Sequence, residues 1–233
     1  MTYATTLYME SGWHKIYKQP SHSLIEGGRL LNIAVLGSTK GTDLQAVIDA
    51  IESGKLADVK ISVVISNKQD AYILERARKH NINAVFVDSA DKTREEFDRE
   101  IMKILDKENV GLVLLIGYMR FISREFVGKW RNKVINVHPS LLPKYAGGMD
   151  KNVHKAVLDA GEKETGMTIH FVDEGADTGP VILQKKCSIG PDETVDSLKE
   201  KVQQLEGDGF IEAIKLFRDN KLRVKGNAVR ILK

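Results

Sequence analysis

Residues 30–54 read LLNIAVLGSTKGTDLQAVIDAIESG. Leu30–Leu36 is an apolar run of strand length that ends at Gly37. From Thr42 onward Leu44, Val47, Ile48 and Ile51 recur every three to four residues until Gly54, which is the period of an amphipathic helix. The pair predicts a strand, a tight loop and a helix. The pattern then repeats, with strands expected over 59–65, 83–87 and 110–116 and helices over 70–80 and 93–106. Strict alternation of this kind predicts an α/β fold, a Rossmann-like, mostly parallel sheet flanked by helices on both faces.

After Val134–Val137, read as a further strand, the character changes. A helix is expected over 152–160, strands over 167–172 and 180–186, and a long helix over 194–218, followed by a short basic apolar tail. We therefore read 1–29 as an N-terminal extension and 30–233 as the folded domain, with a nucleotide- or phosphate-binding half at 30–132 and a second, mixed half at 133–220. In open parallel sheets ligands sit beyond the carboxyl ends of the strands. The loops after Leu36 and Ile116 and the segment after Val137 should thus share one crevice.

The bulk composition narrows the function classes. The 233 residues carry 42% hydrophobic and 29% charged residues, as globular proteins do. A formal charge of +3 is too small for a nucleic-acid surface. Cys187 is the single cysteine, which rules out an internal disulfide and a cysteine-rich metal site and suits a reducing, cytoplasmic setting. The longest apolar run, Val110 to Met119, is interrupted by Gly111 and Gly117 and falls short of the roughly 20 residues a membrane span needs. Residues 1–29 lack the apolar centre and small-residue cleavage site of a secretory signal; an accessory arm is expected there.

Three segments carry chemistry. Gly37 to Asp43 joins the first strand to the first helix, where free N–H groups and the helix dipole favour an anion. The alternative is an ordinary turn in which Thr42 or Asp43 only caps the helix. In Asn136-Val137-His138-Pro139, strand alternation points Asn136 and His138 to the same side. An amide donor and an imidazole there can stabilise a developing oxyanion and move a proton. Asp177, bracketed by Gly175 and Gly179, can reach into a cleft and orient a histidine or a water, or it can simply occupy an exposed turn. Of the other histidines (His14, His22, His80, His154 and His170), His170 is expected within a strand and His154 on a helix surface within reach of a substrate.

Taken in order, these segments resemble the glycinamide ribonucleotide formyltransferase family, through Val134 to Tyr145 (VINVHPSLLPKY) and His170 to Gln184 (HFVDEGADTGPVILQ). The likeness runs from about Asn32 to about Phe217. It implies the formyltransferase fold and transfer of a formyl group from 10-formyltetrahydrofolate, as donor and without a metal, to the amine of glycinamide ribonucleotide in purine synthesis. By that resemblance Asn136, His138 and Asp177 are the catalytic set. Ser38, Gly41, Thr42 and Asp43 would hold the substrate phosphate, with Gln203 and Glu206 on the ribose and amine side. Arg94, Met119, Arg120, Phe121 and Ile122, with Asp173, Glu174, Gly175 and Ala176, would hold the folate. Leu142–Pro143 matches a cis peptide of the family. The implied partners are these small molecules, with neither nucleic acid nor membrane, for a monomer or homodimer.

The chain departs from the family pattern at two places. Ser38-Thr39-Lys40-Gly41-Thr42-Asp43 replaces a loop close to Ser-Gly-Asn-Gly-Ser-Asn, so that Asp43 brings negative charge beside a phosphate. Residues 146–154 are slightly longer than usual and lack the first histidine. Both touch the acceptor side. The alternatives are therefore a formyltetrahydrofolate hydrolase, a formyltransferase for another amine such as an amino sugar or a methionyl-tRNA, or, more remotely, a non-catalytic folate- or nucleotide-binding module. A hydrolase is expected to carry a further N-terminal domain and a histidine where Pro139 stands. The tRNA enzyme is expected to carry a C-terminal domain and a more basic surface.

Overall fold

The computed structural model describes residues 30–148 and 151–233. The accessory arm expected at 1–29 lies outside the described residues. The elements run β1 (Leu31–Leu36), α1 (Thr42–Glu52), β2 (Val59–Ser66), α2 (Tyr72–Lys79), β3 (Ala84–Phe86), α3 (Arg94–Lys107), β4 (Leu112–Leu115), α4 (Arg124–Lys129) and β5 (Val134–His138). There follow α5 (Lys151–Asp159), β6 (Glu164–Phe171), β7 (Val181–Ser188), α6 (Val195–Arg218), β8 (Leu222–Lys225) and β9 (Ala228–Ile231). The nine strands among the described residues form one sheet in the order β3-β2-β1-β4-β5-β6-β7-β9-β8.

Strands β1 to β5 pair in parallel. Their side chains alternate between two cores. Ile33 and Val35 of β1, with Leu112 and Leu114 of β4, pack under α1, α2, α5 and α6. Ala34, Leu36, Val113 and Leu115 pack under α3 and α4, against Phe97, Ile101 and Phe126. A strand buried on both faces must be apolar at nearly every position, which is why the alternation is invisible in the LLNIAVL run itself. No helix among the described residues is long and apolar enough to cross a membrane.

The sheet reverses its order of growth between β1 and β4, and there the two loops join. Ser38 N–H donates to Gly117 O at 3.0 Å, and Met119 N–H donates to Ser38 Oγ at 3.0 Å. Gly117 has φ +57°, and a Cβ there would lie 2.1 Å from Thr39 Oγ1. Only glycine allows this approach. The crevice between these loops is the ligand position expected for such a sheet.

The second half is not a continuation of the parallel pattern. The sheet crosses 130–134 without interruption, since β4 pairs with β5, but β6 then runs antiparallel to β5 and β7 antiparallel to β6. Antiparallel β6 brings Thr168 opposite His138 and His170 opposite Asn136. Thr168 is fully buried and ties the Pro-bounded loop to the sheet. Its hydroxyl donates to Ser140 O at 2.7 Å and accepts from Leu142 N–H at 3.0 Å and Gln184 Nε2–H at 2.9 Å. Gln184 also donates to Leu142 O at 2.9 Å, and Leu142–Pro143 is cis.

Three elements, α4 and the two strands of a hairpin, were not foreseen. The six-residue α4 is too short for a helical period to show; Ser123 caps it by accepting from Phe126 N–H. The basic tail folds into the β8–β9 hairpin around Gly226-Asn227, with Leu222, Arg223, Val224 and Lys225 opposite Ile231, Arg230, Val229 and Ala228. Strand alternation around a Gly-Asn turn is a recognisable hairpin pattern that the reading above did not use.

Thr168→Val keeps the shape of the side chain but strands the buried groups it joins. We expect a loss of about 1–3 kcal/mol of unfolding free energy in urea titrations. A loss below about 0.5 kcal/mol, the range of surface substitutions, would show that the hydroxyl is not a structural hub.

Candidate functional site

Strand β5 carries Asn136 and His138 on one side of the sheet, and the loop after β6 returns over them. Asp177 sits in that loop with φ +56°, a left-handed conformation that aspartate tolerates better than most residues. The loop can fold back this tightly because Gly179 lies against the strand. A Cβ on Gly179 would stand 1.8 Å from Phe171 O.

The polar groups form one connected chain. His138 Nδ1 lies 3.1 Å from Asp177 Oδ2, and His138 Nε2 lies 2.9 Å from Tyr145 O. Asp177 Oδ1 faces His170 Nε2 at 3.5 Å, and His170 Nε2 is 3.3 Å from Asn136 Nδ2. His170 Nδ1 donates to Phe171 O at 2.9 Å, and Gly147 N–H donates to Asp177 Oδ2 at 2.9 Å. His138 and His170 are each only 2% exposed. Both nitrogens of His138 face acceptors, so both contacts are hydrogen bonds when the ring is doubly protonated.

Burial alone would push the Asp177 carboxyl up. Hydrogen bonds from His138 and His170, with the charge of His138 and the Gly147 N–H, outweigh it and hold the group well below the ordinary carboxylate range. Asp177 is therefore an anion at neutral pH.

His170 is the residue the sequence reading passed over. It was expected in a strand and it is in one, but the register of β5 against β6 makes it the bridge between Asn136 and Asp177. Its one local sign is the alternation Thr168, His170, two polar residues on one face of an apolar strand. His154, expected on a helix surface, is instead 1% exposed, turned into the core by the α5–α6 packing.

The residues expected on the acceptor side are partly brought together. Thr42, Asp43 and Ala46 of α1 face Glu200, Gln203, Gln204, Gly207 and Asp208 of α6 across a cleft of about 360 Å³. Ala46 and Gly207 let the helices approach, since a Cβ on Gly207 would lie 2.7 Å from that of Ala46. Gln203 lines the cleft; Glu206 does not. Gly41 is the N-cap of α1, in a left-handed conformation and with no side chain to cap the helix, so the capping role considered for Thr42 or Asp43 is not what the structure shows. Ser38 is 3% exposed. Its hydroxyl donates to Asn67 Oδ1 at 2.6 Å.

Of the residues expected on the folate side, Met119 and Phe121 stand 47% and 66% exposed, an unusual amount of apolar surface for two residues of one short loop. Ile122 is half-buried against the α3–α4 core. The Arg120 guanidinium lies over the Phe97 ring at 4.5 Å. Arg94 is exposed at the start of α3, whose buried Asp98 accepts from Ser123 N–H at 2.5 Å. Burial holds the Asp98 carboxyl above its usual range despite that bond. In the 173–179 loop Asp173 accepts from Gly175 N–H and Thr178 Oγ1, shaping the turn, and Glu174 pairs with Arg124 at 2.8 Å. Ala176 is exposed at the tip.

A group whose folded pKa is depressed stabilises the fold above its unfolded pKa and loses that contribution as pH falls. The stability difference between wild type and Asp177→Asn should be full above about pH 5 and shrink below about pH 4. A difference that stays constant from neutral pH to about pH 3 in denaturant titrations would show that the carboxylate is not ion-paired.

The formyl transferase family matches residues 31–214. The chain is 40% identical over 196 residues to the phosphoribosylglycinamide formyltransferase of Haemophilus influenzae, covering 84% of this chain and 91% of that one. It is 42% identical over 188 residues to the trifunctional purine biosynthetic protein adenosine-3 of Drosophila melanogaster, covering 80% of this chain and 14% of that much longer protein. The crystal structure of glycinamide ribonucleotide transformylase 1 from Symbiobacterium toebii superposes with a TM-score of 0.85 at 36% identity, covering 92% of this chain and all of that one. With the parallel half-sheet, the antiparallel return and the linked amide, imidazoles and carboxylate, these matches place the chain in the formyl transferase family, on its phosphoribosylglycinamide formyltransferase branch.

Proposed function

We propose that this enzyme transfers the formyl group of 10-formyltetrahydrofolate to the amine of glycinamide ribonucleotide, with Asn136, His138 and Asp177 as catalytic residues. The observation that carries the reading is the buried link from Asn136 through His170 and Asp177 to His138. Packing does not call for an amide, two imidazoles and a carboxylate in one place, whereas acyl transfer does.

The acceptor amine adds to the formyl carbon, and the carbonyl oxygen takes up negative charge. Asn136 N–H donates to that oxygen, and the charge of a protonated His138, whose two N–H groups are held by Asp177 and Tyr145 O, stabilises it from nearby. The bond from the carbon to the folate nitrogen then breaks, and the proton released by the amine passes to that nitrogen. Asp177 orients the His138 ring through its Nδ1 contact and positions the proton carrier. One donor to such an oxyanion contributes on the order of 3 kcal/mol to the transition state.

The α1–α6 cleft is the acceptor site in this reading. The uncapped N-terminus of α1 presents backbone N–H groups to the phosphate, and the amides of Gln203 and Gln204 suit a ribose. Asp43, 7% exposed beside those N–H groups, opposes the phosphate charge, while the exposed Lys40 attracts it. Met119, Arg120, Phe121, Ile122 and the 173–177 loop form the pteridine side, with Arg94 at the glutamate end.

Asn136→Ala, His138→Ala and Asp177→Ala are each expected to lower turnover at least about a hundredfold in an absorbance assay of folate deformylation. Near-normal turnover of folded His138→Ala would overturn the assignment. Deformylation that needs no glycinamide ribonucleotide would instead mark a hydrolase. Asp43→Asn should lower KM for the ribonucleotide by roughly fivefold, as removal of one charge from a helix N-terminus allows; an unchanged KM would place the phosphate elsewhere.

A further inference from the structure

We infer that Glu162 is a positioning residue for His138 and Asp177, acting through the side chain of Tyr145. The inference rests on the catalytic roles proposed above and concerns what keeps those groups in register.

The turn at 144–148 closes over the site and touches both members of the ion pair. Tyr145 O accepts from His138 Nε2–H at 2.9 Å, and Gly147 N–H donates to Asp177 Oδ2 at 2.9 Å. That carboxylate oxygen is also the one facing His138 Nδ1. The ring His138, Asp177, Gly147, Tyr145 is thus closed by two backbone groups of the turn. Backbone groups hold a fixed place only when the turn itself is held. Tyr145 has φ +61°, a conformation that a bulky residue keeps only when its surroundings impose it.

Two anchors impose it. On the inside Ser140 Oγ donates to Lys144 O at 2.7 Å. On the outside Tyr145 OH donates to Glu162 Oε1 at 3.1 Å, and Lys144 Nζ donates to the same oxygen at 2.7 Å. Glu162 stands between α5 and β6, where its N–H donates to Val157 O at 3.4 Å. Its backbone is therefore anchored to the C-terminal end of α5, two residues before the strand that carries Thr168 and His170. The side chain is only 25% exposed, against 64% for Lys144. Hydrogen bonds from Lys144 and Tyr145 hold its carboxyl below the usual range, as a charged acceptor requires. The Lys144 contact by itself would be an ordinary surface ion pair of little consequence. The Tyr145 contact differs because the same residue supplies the carbonyl that holds His138. Glu162 thus secures the imidazole from 24 residues away through one tyrosine ring.

The test uses Tyr145→Phe, which removes one oxygen, together with Glu162→Ala, Glu162→Gln and Lys144→Met, each checked for an unchanged melting temperature. Tyr145→Phe and Glu162→Ala should lower kcat by about tenfold, as slight misplacement of reacting groups does, with KM for both substrates within about twofold. Combined, the two should cost no more than either alone, because they break one link. Glu162→Gln keeps an acceptor for the hydroxyl and should recover activity to within about threefold of wild type, and Lys144→Met should stay within about twofold. Proton NMR should show a hydrogen-bonded His138 Nε2–H in the wild type that is lost in Tyr145→Phe and retained in Glu162→Gln. This readout does not need turnover, so it separates failure of the positioning from failure of the proposed reaction. An unchanged His138 resonance in Tyr145→Phe, or additive losses in the double variant, would overturn the inference.

Discussion

A carboxylate with little access to water lies between two imidazoles, and most of the second half of the chain is arranged around it. Removing an ionised carboxylate from water costs several kcal/mol unless charged or hydrogen-bonding partners replace the lost solvation. Around Asp177 those partners come from β5, from β6 and from the turn at 145–148. None is adjacent to it in the chain. The loop that carries Asp177 must fold back onto the sheet for them to meet, and this requires the close approach of Gly179 to Phe171. A displaced loop would leave a buried anion without partners, so the fold and the electrostatics select the same geometry.

The two halves of the sheet make different contributions. The parallel half ends its strands at one edge and starts its helices there, which places backbone N–H groups and a positive dipole at a crevice. The antiparallel half brings side chains into direct opposition. The antiparallel register of β6 against β5 is what sets His170 opposite Asn136. In the proposed reading, anion binding draws on the parallel strands and formyl transfer on the antiparallel pair. The α1–α6 cleft joins them. Its lining contains Asp43, Glu200 and Asp208 but no cation, so attraction for an anion there depends on the helix terminus and on the exposed Lys40.

Much of this was legible beforehand, for identifiable reasons. The helices from 42 to 107 announce themselves by period, because each packs one face against a core, whereas β1, β2 and β4 show as unbroken apolar runs, because both of their faces are buried. Asn136 and His138 share a side because a strand alternates, a local rule that needs no tertiary information. α4 was missed because six residues hold less than two helical turns. The hairpin at 222–231 was readable from its alternation about Gly226-Asn227 and was passed over as a basic tail. The bonds of the Ser38 hydroxyl to Asn67 and Met119 could not be read from the loop itself, because the partners stand 29 and 81 residues away.

The order of residues, with its periodicities and its two long motifs, was enough to establish the α/β class, the crevice edge and the family. It could not establish which groups touch. The bridging place of His170, the hydroxyl bonds of Ser38, the burial of His154 and the hold of Tyr145 on His138 depend on strand register and on loops meeting across dozens of residues. Those are properties of pairs distant in the chain, and a hydrogen bond between them exists only once the sheet has brought their backbones together.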